Sequence, residues 1–128
     1  MSYLYPEVRQ LDRKPKTEDF ECVSLVRHYA KAPPTRMWRE GAKVLGNKDI
    51  QPGTAIATFV NGRWPNLKHG NHAAFYIGQV SDGLYILDQW KAPTKKSISI
   101  RFVSRKGRNS DGTYINPSDN ADAFSVIE

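Results

Sequence analysis

Residues 71–90 constrain the fold most, because NHAAFYIGQV and LYILDQW are apolar, β-patterned runs joined by the turn tripeptide Ser81-Asp82-Gly83. Branched and aromatic residues on both sides of such a turn specify an antiparallel hairpin. Flanking segments extend the pattern. Upstream, Pro52-Gly53 makes a turn, and TAIATFV over residues 54–60 reads as a strand. Downstream, SISIRFV over 97–103 alternates as the next antiparallel strand, and residues 123–127 supply a last one. Between them, residues 61–70 form a Gly-, Asn- and Pro-rich loop carrying Trp64, and 105–120 form a polar loop.

The N-terminal part has a different texture. In DFECVSLVRHYA, residues 19–30, the apolar positions Cys22, Leu25, Val26, Tyr29 and Ala30 fall at helical spacing. Thr17 or Asp19 is the expected cap, the acids Glu18, Asp19 and Glu21 suit a helix start, and Pro33-Pro34 closes the helix. A second short helix is expected over residues 35–44, weakened by Gly41. Helices followed by strands give an α+β class, with N-terminal helices packed on a small antiparallel sheet. Residues 1–16, which mix tyrosines with prolines and charges, read as an extended arm on the surface. The length of 128 residues suits one domain.

Composition narrows the function classes. The net charge of +6 favours polyanionic surroundings, without choosing among nucleic acid, an anionic membrane face or a cell-wall polymer. No apolar run reaches the roughly 18 residues of a membrane span. The start MSYLYPEVRQ lacks the apolar core of a secretory signal, so synthesis in the cytoplasm without membrane insertion is expected. A single cysteine leaves no internal disulfide, zinc ribbon or Cys-x-x-Cys site, so any role of Cys22 is a solitary one.

Cys22 sits in the first turn of its helix, where backbone N–H groups and the helix dipole favour negative charge. That placement suits a nucleophile, and it equally suits a small buried hydrophobe. A nucleophile needs a base, and the histidines are His28, His69 and His72. His28 is turned away on the same helix, and His69 lies in a polar loop. His72 opens a strand and is therefore held firmly, as a structural or a catalytic side chain.

The segments ECVSLV, PGTAIATF, NHAAFYIG and YILDQW, in that order, resemble the NlpC/P60 and CHAP families of papain-like peptidoglycan amidases and peptidases. The resemblance spans residues 20–90. More narrowly, ECVSLV, TAIATFVNGRWP and GNHAAFYIG with LDQW are similar to the BPSL0067 family and, through it, to type VI secretion amidase effectors. It implies a papain-like fold and a cysteine amidase with Cys22 as nucleophile, His72 as general base and Asp88 orienting the imidazole, without metal or organic cofactor. It further implies a peptidoglycan substrate, a secretion machine that delivers the protein to the periplasm of a rival bacterium, and a cognate immunity protein. Thr54 stands where these families often have Asp, at a structural position.

Asp88 is the least constrained of the three. A three-residue hairpin loop centred on Asp82 pairs Asp88 with Tyr76 on the face of His72, but four residues along the strand, about 13 Å in a flat sheet. Twist or a bulge must then shorten the gap. A two-residue loop turns Asp88 away and leaves Gln89 as its substitute. Trp64 is a candidate to line the substrate groove. Alternative readings are a phage-type endolysin or another cysteine hydrolase on this fold, and a basic nucleic-acid-binding module built on Lys95, Lys96, Arg101, Arg105, Lys106 and Arg108. That run lacks a recognition motif and reads equally as a solvated strand edge.

Overall fold

The structure is a computed structural model that describes residues 2–128. It contains one α-helix, α1 (Cys22–Ala30), and six strands: β1 (Glu40–Lys43), β2 (Ala55–Thr58), β3 (Ala73–Val80), β4 (Gly83–Asp88), β5 (Ser99–Ser104) and β6 (Phe124–Ile127). They form a six-stranded sheet in the order β1-β6-β2-β3-β4-β5. Every pairing is antiparallel. The class is therefore α+β, with one α-helix where two were expected.

The missing helix has a physical explanation. Residues 35–37 make a single 3-10 turn, and the chain then extends into β1, which pairs Glu40 with Ile127 and Lys43 with Ser125. A Cβ on Gly41 would stand 3.0 Å from the Val126 carbonyl oxygen and closer still to the Glu128 side chain, so glycine here serves the close approach of two strands. Trp38, fully buried, anchors the turn by donating its indole N–H to the Pro33 carbonyl at 2.8 Å.

Strand alternation divides the apolar residues between two faces. On one, Ala57, Phe75, Ile77 and Leu87 pack with Leu25, Val26 and Ala30 of α1. On the other, Ile56, Tyr76, Ile86 and Val103 pack with Ala121, Phe124 and Val126. Residues 2–16, expected as a surface arm, contribute to the first layer instead. A 3-10 turn at Val8–Leu11 buries both of those side chains, and the Tyr5 N–H donates to the Gly53 carbonyl at 2.9 Å.

The β3–β4 hairpin sets the site. Val80 pairs with Gly83, so the loop has two residues, and Gly78 pairs with Tyr85; then the register shifts, and Tyr76 pairs with Ile86 and Phe75 with Leu87. Ile77 is the extra residue of a β-bulge. A regular two-residue hairpin would turn Asp88 away from His72. The bulge reverses that parity, and continuing the shifted register sets Asp88 opposite Ala74, diagonal to His72.

Candidate functional site

Cys22 is the first residue of α1, half-buried and free of disulfide. In this first turn the Ser24 N–H donates to the Glu21 carbonyl at 3.2 Å, while the amides of Cys22 and Val23 precede the first intrahelical bonds and point out of the helix start. Neither expected cap closes the helix: the N-cap is Glu21, without a side-chain cap bond. Asp19 acts just ahead of it, its Oδ1 accepting the Glu21 N–H at 3.1 Å and the Ser24 hydroxyl at 2.6 Å. That hydroxyl bond, first among several, holds the Asp19 carboxyl below its ordinary range. Glu18 and Phe20 adopt left-handed φ angles of 53° and 72°, so the backbone is kinked immediately before the cysteine.

Gln89, weighed as a stand-in for Asp88, does different work. It is fully buried; its Oε1 accepts the Thr17 N–H at 2.8 Å, and its Nε2 donates to the carbonyls of Thr17 at 3.1 Å and Glu21 at 2.8 Å. Lys16 donates to the carbonyls of Trp90 and Ala92 at 3.1 and 3.2 Å. The segment leading into Cys22 is thus fastened to the end of β4. Nothing in the sequence distinguishes this glutamine from its neighbour except strand parity, and the bulge conceals the parity.

His72 lies one residue before β3, 5% exposed. Its N–H donates to the Thr58 hydroxyl at 3.0 Å, and its carbonyl accepts the Thr58 N–H at 3.0 Å. Its Nε2 lies 2.8 Å from Oδ2 of the fully buried Asp88. Burial by itself would lower the imidazole pKa. The hydrogen bonds to Asp88 and then to Cys22 outweigh burial and raise it from 6.5 to about 9. With Nε2 engaged by Asp88, Nδ1 is the nitrogen left for the Cys22 thiol. Burial likewise opposes ionisation of Asp88, and the His72 hydrogen bond, with Arg101 and Lys95, overcomes it and lowers that pKa to about 2.

Two cations complete the arrangement. Arg101 Nε donates to Asp88 Oδ2 at 2.9 Å, and Lys95 Nζ stands 3.1 Å from Oδ1. Oδ1 receives no aligned hydrogen bond, so its link to Lys95 is one of charge. The sequence groups both residues in a basic run that suits a nucleic-acid-binding surface or a solvated strand edge; here they turn inward from β5 and the segment before it. The edge position of β5 carries the signal for this, since inward-pointing charges are one way an edge strand is protected.

Cys22, His72, Trp90 and Arg101 open onto a cleft of about 620 Å³, which Trp64 also lines. Trp64 stacks edge-on against buried Trp38 with centroids 5.2 Å apart. His69 lines the rim of the cleft, exposed, and His28 is outside it, 2.8 Å from Glu18. A larger groove of about 730 Å³ lies at the other end of β3, where Lys43 and Arg108 flank the Tyr114 ring. It contains neither cysteine nor histidine, so the smaller cleft is the chemical one. Among the described residues, no cluster of three or more His, Cys, Asp or Glu side chains is placed to hold a metal.

A thiol at a helix start, a buried imidazole and a carboxylate behind it, open to a groove, are set together in a small α+β protein, and groups of these types in such an arrangement are capable of acyl transfer. The chain belongs to the family "domesticated amidase effector 2", whose model matches residues 10–127. It is 45% identical to the type VI secretion amidase effector 2 protein of Salmonella typhi over the full length of both chains. It is 34% identical to domesticated amidase effector 2 of Ixodes scapularis, over 84% of this chain and 70% of that protein. Among solved structures, a type 6 secretion amidase effector 2 superposes with a TM-score of 0.93 at 43% identity, covering 98% of this chain and 94% of the other.

Proposed function

We propose that the protein is a peptidoglycan amidase of the type VI secretion effector group, in which Cys22 is the nucleophile, His72 the general base and Asp88 the group that orients it. The observation carrying this reading is that Cys22, at the start of α1, and His72 line one cleft, with Asp88 Oδ2 2.8 Å from His72 Nε2 behind it. The family and its named relatives support the amidase activity. Residues 1–128 act as one catalytic domain of papain-like design: a cysteine opening the helix, a histidine immediately before β3, and an acid at the end of β4.

The chemistry follows from the geometry. Cys22 gives its proton to His72, and the thiolate attacks the carbonyl of a stem-peptide amide. The oxyanion is met by N–H groups of the first helical turn. His72 returns the proton to the leaving amine, then takes one from water, whose oxygen releases the acyl group from Cys22 and restores the thiol. Asp88 fixes the imidazole orientation and stabilises its charged form. Trp64 offers the cleft an aromatic wall for the substrate. Delivery by the secretion machine to the periplasm of a target cell places the enzyme at its substrate, and a cognate immunity protein protects the producer.

The test is incubation of purified sacculi with the wild type and with Cys22→Ala, followed by separation of the soluble muropeptides. New muropeptides from the wild type alone are expected. If the wild type releases none, or the variant releases the same set, the assignment is wrong.

A further inference from the structure

We propose that Lys95 and Arg101 are positioning residues of the catalytic site that act through Asp88, holding its carboxylate in place and taking up part of the negative charge His72 would otherwise have to itself. The inference rests on the reading of His72 as the base. Three cationic or cation-capable groups converge on one buried carboxylate: His72 Nε2 and Arg101 Nε share Oδ2 at 2.8 and 2.9 Å, and Lys95 Nζ takes Oδ1 at 3.1 Å.

Lys95 has only 7% of its side chain exposed. A buried ammonium is costly, and an apolar residue of similar volume commonly serves stability as well, so packing gives no reason for it. Nζ also donates to the Ser99 hydroxyl, which fixes its direction. Arg101 divides its guanidinium between two acids, with Nη1 on Asp119 Oδ1 at 2.7 Å and Nη2 on the Ser118 carbonyl at 3.3 Å. Trp90 holds the group together: Lys95 Nζ lies 4.6 Å and Arg101 Cζ 5.1 Å from its ring centroid, and the His72 ring stands 6.1 Å away, edge-on.

The charge balance at His72 follows. α1 brings Cys22 and Glu21 to its cleft, β4 brings Asp88, the 89–98 segment Lys95 and β5 Arg101. Asp119, held by Arg101, and the rim residues Lys68 and His69 complete the titratable and charged neighbours. Lys95 and Arg101 act on His72 in two ways of the same sign: each repels the imidazolium, and each draws on the carboxylate that stabilises it. Removing either therefore favours the imidazolium, by between about half a pH unit at the dielectric of water and about two units at an effective dielectric of about 20, for charges about 6 Å apart.

The experiment is NMR titration of the His72 ring in Cys22→Ala protein, which needs no activity and removes the contribution of the thiol. Adding Lys95→Gln or Arg101→Gln should raise the His72 midpoint by about half a unit to two units, whereas Lys95→Arg leaves it in place. A midpoint that is unchanged or lower in the glutamine variants overturns the proposal. Should Lys95→Gln fail to fold, the partly exposed Arg101 carries the test. In otherwise wild-type enzyme the alkaline limb of kcat/KM for muropeptide hydrolysis should move up with the same substitutions, a change that loss of structure alone does not produce. If the sacculus experiment fails while these midpoints move, the amidase reading falls and the charge-sharing stands.

Discussion

Raising the pH from 6.5 to 9 should destabilise the folded protein by an amount set by one buried ion pair. His72 is held at about 9 when folded, against 6.5 for the unconstrained side chain. A group whose pKa is higher in the folded state contributes stability that is fully present below 6.5 and is lost as pH rises through 9. At about 1.4 kcal/mol for each pH unit, that gap corresponds to about 3 kcal/mol. The same pair seen from Asp88, held at about 2 against 3.8, corresponds to about 2 kcal/mol. The two figures share the His72–Asp88 pair, with Cys22 adding to the first and Arg101 and Lys95 to the second, and together they put the expected loss at about 2 to 3 kcal/mol. Guanidinium unfolding at a series of pH values, for the wild type and His72→Gln, measures it, since the subtraction cancels His28, His69 and other groups common to both. A wild-type stability that stays flat over this window, or the same decline in His72→Gln, would refute the reasoning.

Asp88→Asn strands three cationic groups without their anion, so it should cost about 3 kcal/mol in urea unfolding and lower kcat for muropeptide release at least about 100-fold. Gln89→Ala removes three hydrogen bonds from a buried amide; a loss of about 2 kcal/mol is expected, with kcat falling more than KM changes, because the Cys22 turn is no longer fastened to β4. Gly53→Ala places a Cβ 2.2 Å from the Tyr5 carbonyl oxygen at a residue with φ of +95°. It should cost about 2 kcal/mol or more and expose residues 2–16 to limited proteolysis, read by mass spectrometry of the nicked products.

Strands β2 to β6 were legible because apolar, β-branched or aromatic side chains recur along each of them, whereas β1 has no buried residue. The helix and its Cys22 were legible because apolar positions recur there at helical spacing. Residues 35–44 were not, since Trp38, Met37, Ala42 and Val44 fit a short helix as well as they fit a turn and a strand; pairing with β6, more than eighty residues away, decides the matter. The face of Asp88 depended on a single bulged residue. Gly78, a glycine inside an otherwise regular strand, is the one local signal of that bulge. Lys95 and Arg101 were hidden by their company, because four neighbouring cations in the same run face solvent or surface acids, and composition does not reveal which two turn in.

Strand β6 lies between β1 and β2, although it is the last strand in chain order. Its Phe124 ring packs edge-on to His72 with centroids 6.4 Å apart. During synthesis, β2, β3, β4 and β5 can assemble as soon as they leave the ribosome, but β1 has no partner and β2 has an open edge until residues 124–127 emerge. The His72 imidazole therefore lacks one of its walls until β6 has paired. A chain short of β6 carries the thiol, the imidazole and the carboxylate without the ring that stands against the imidazole, which ties completion of the proposed site to the closing of the sheet.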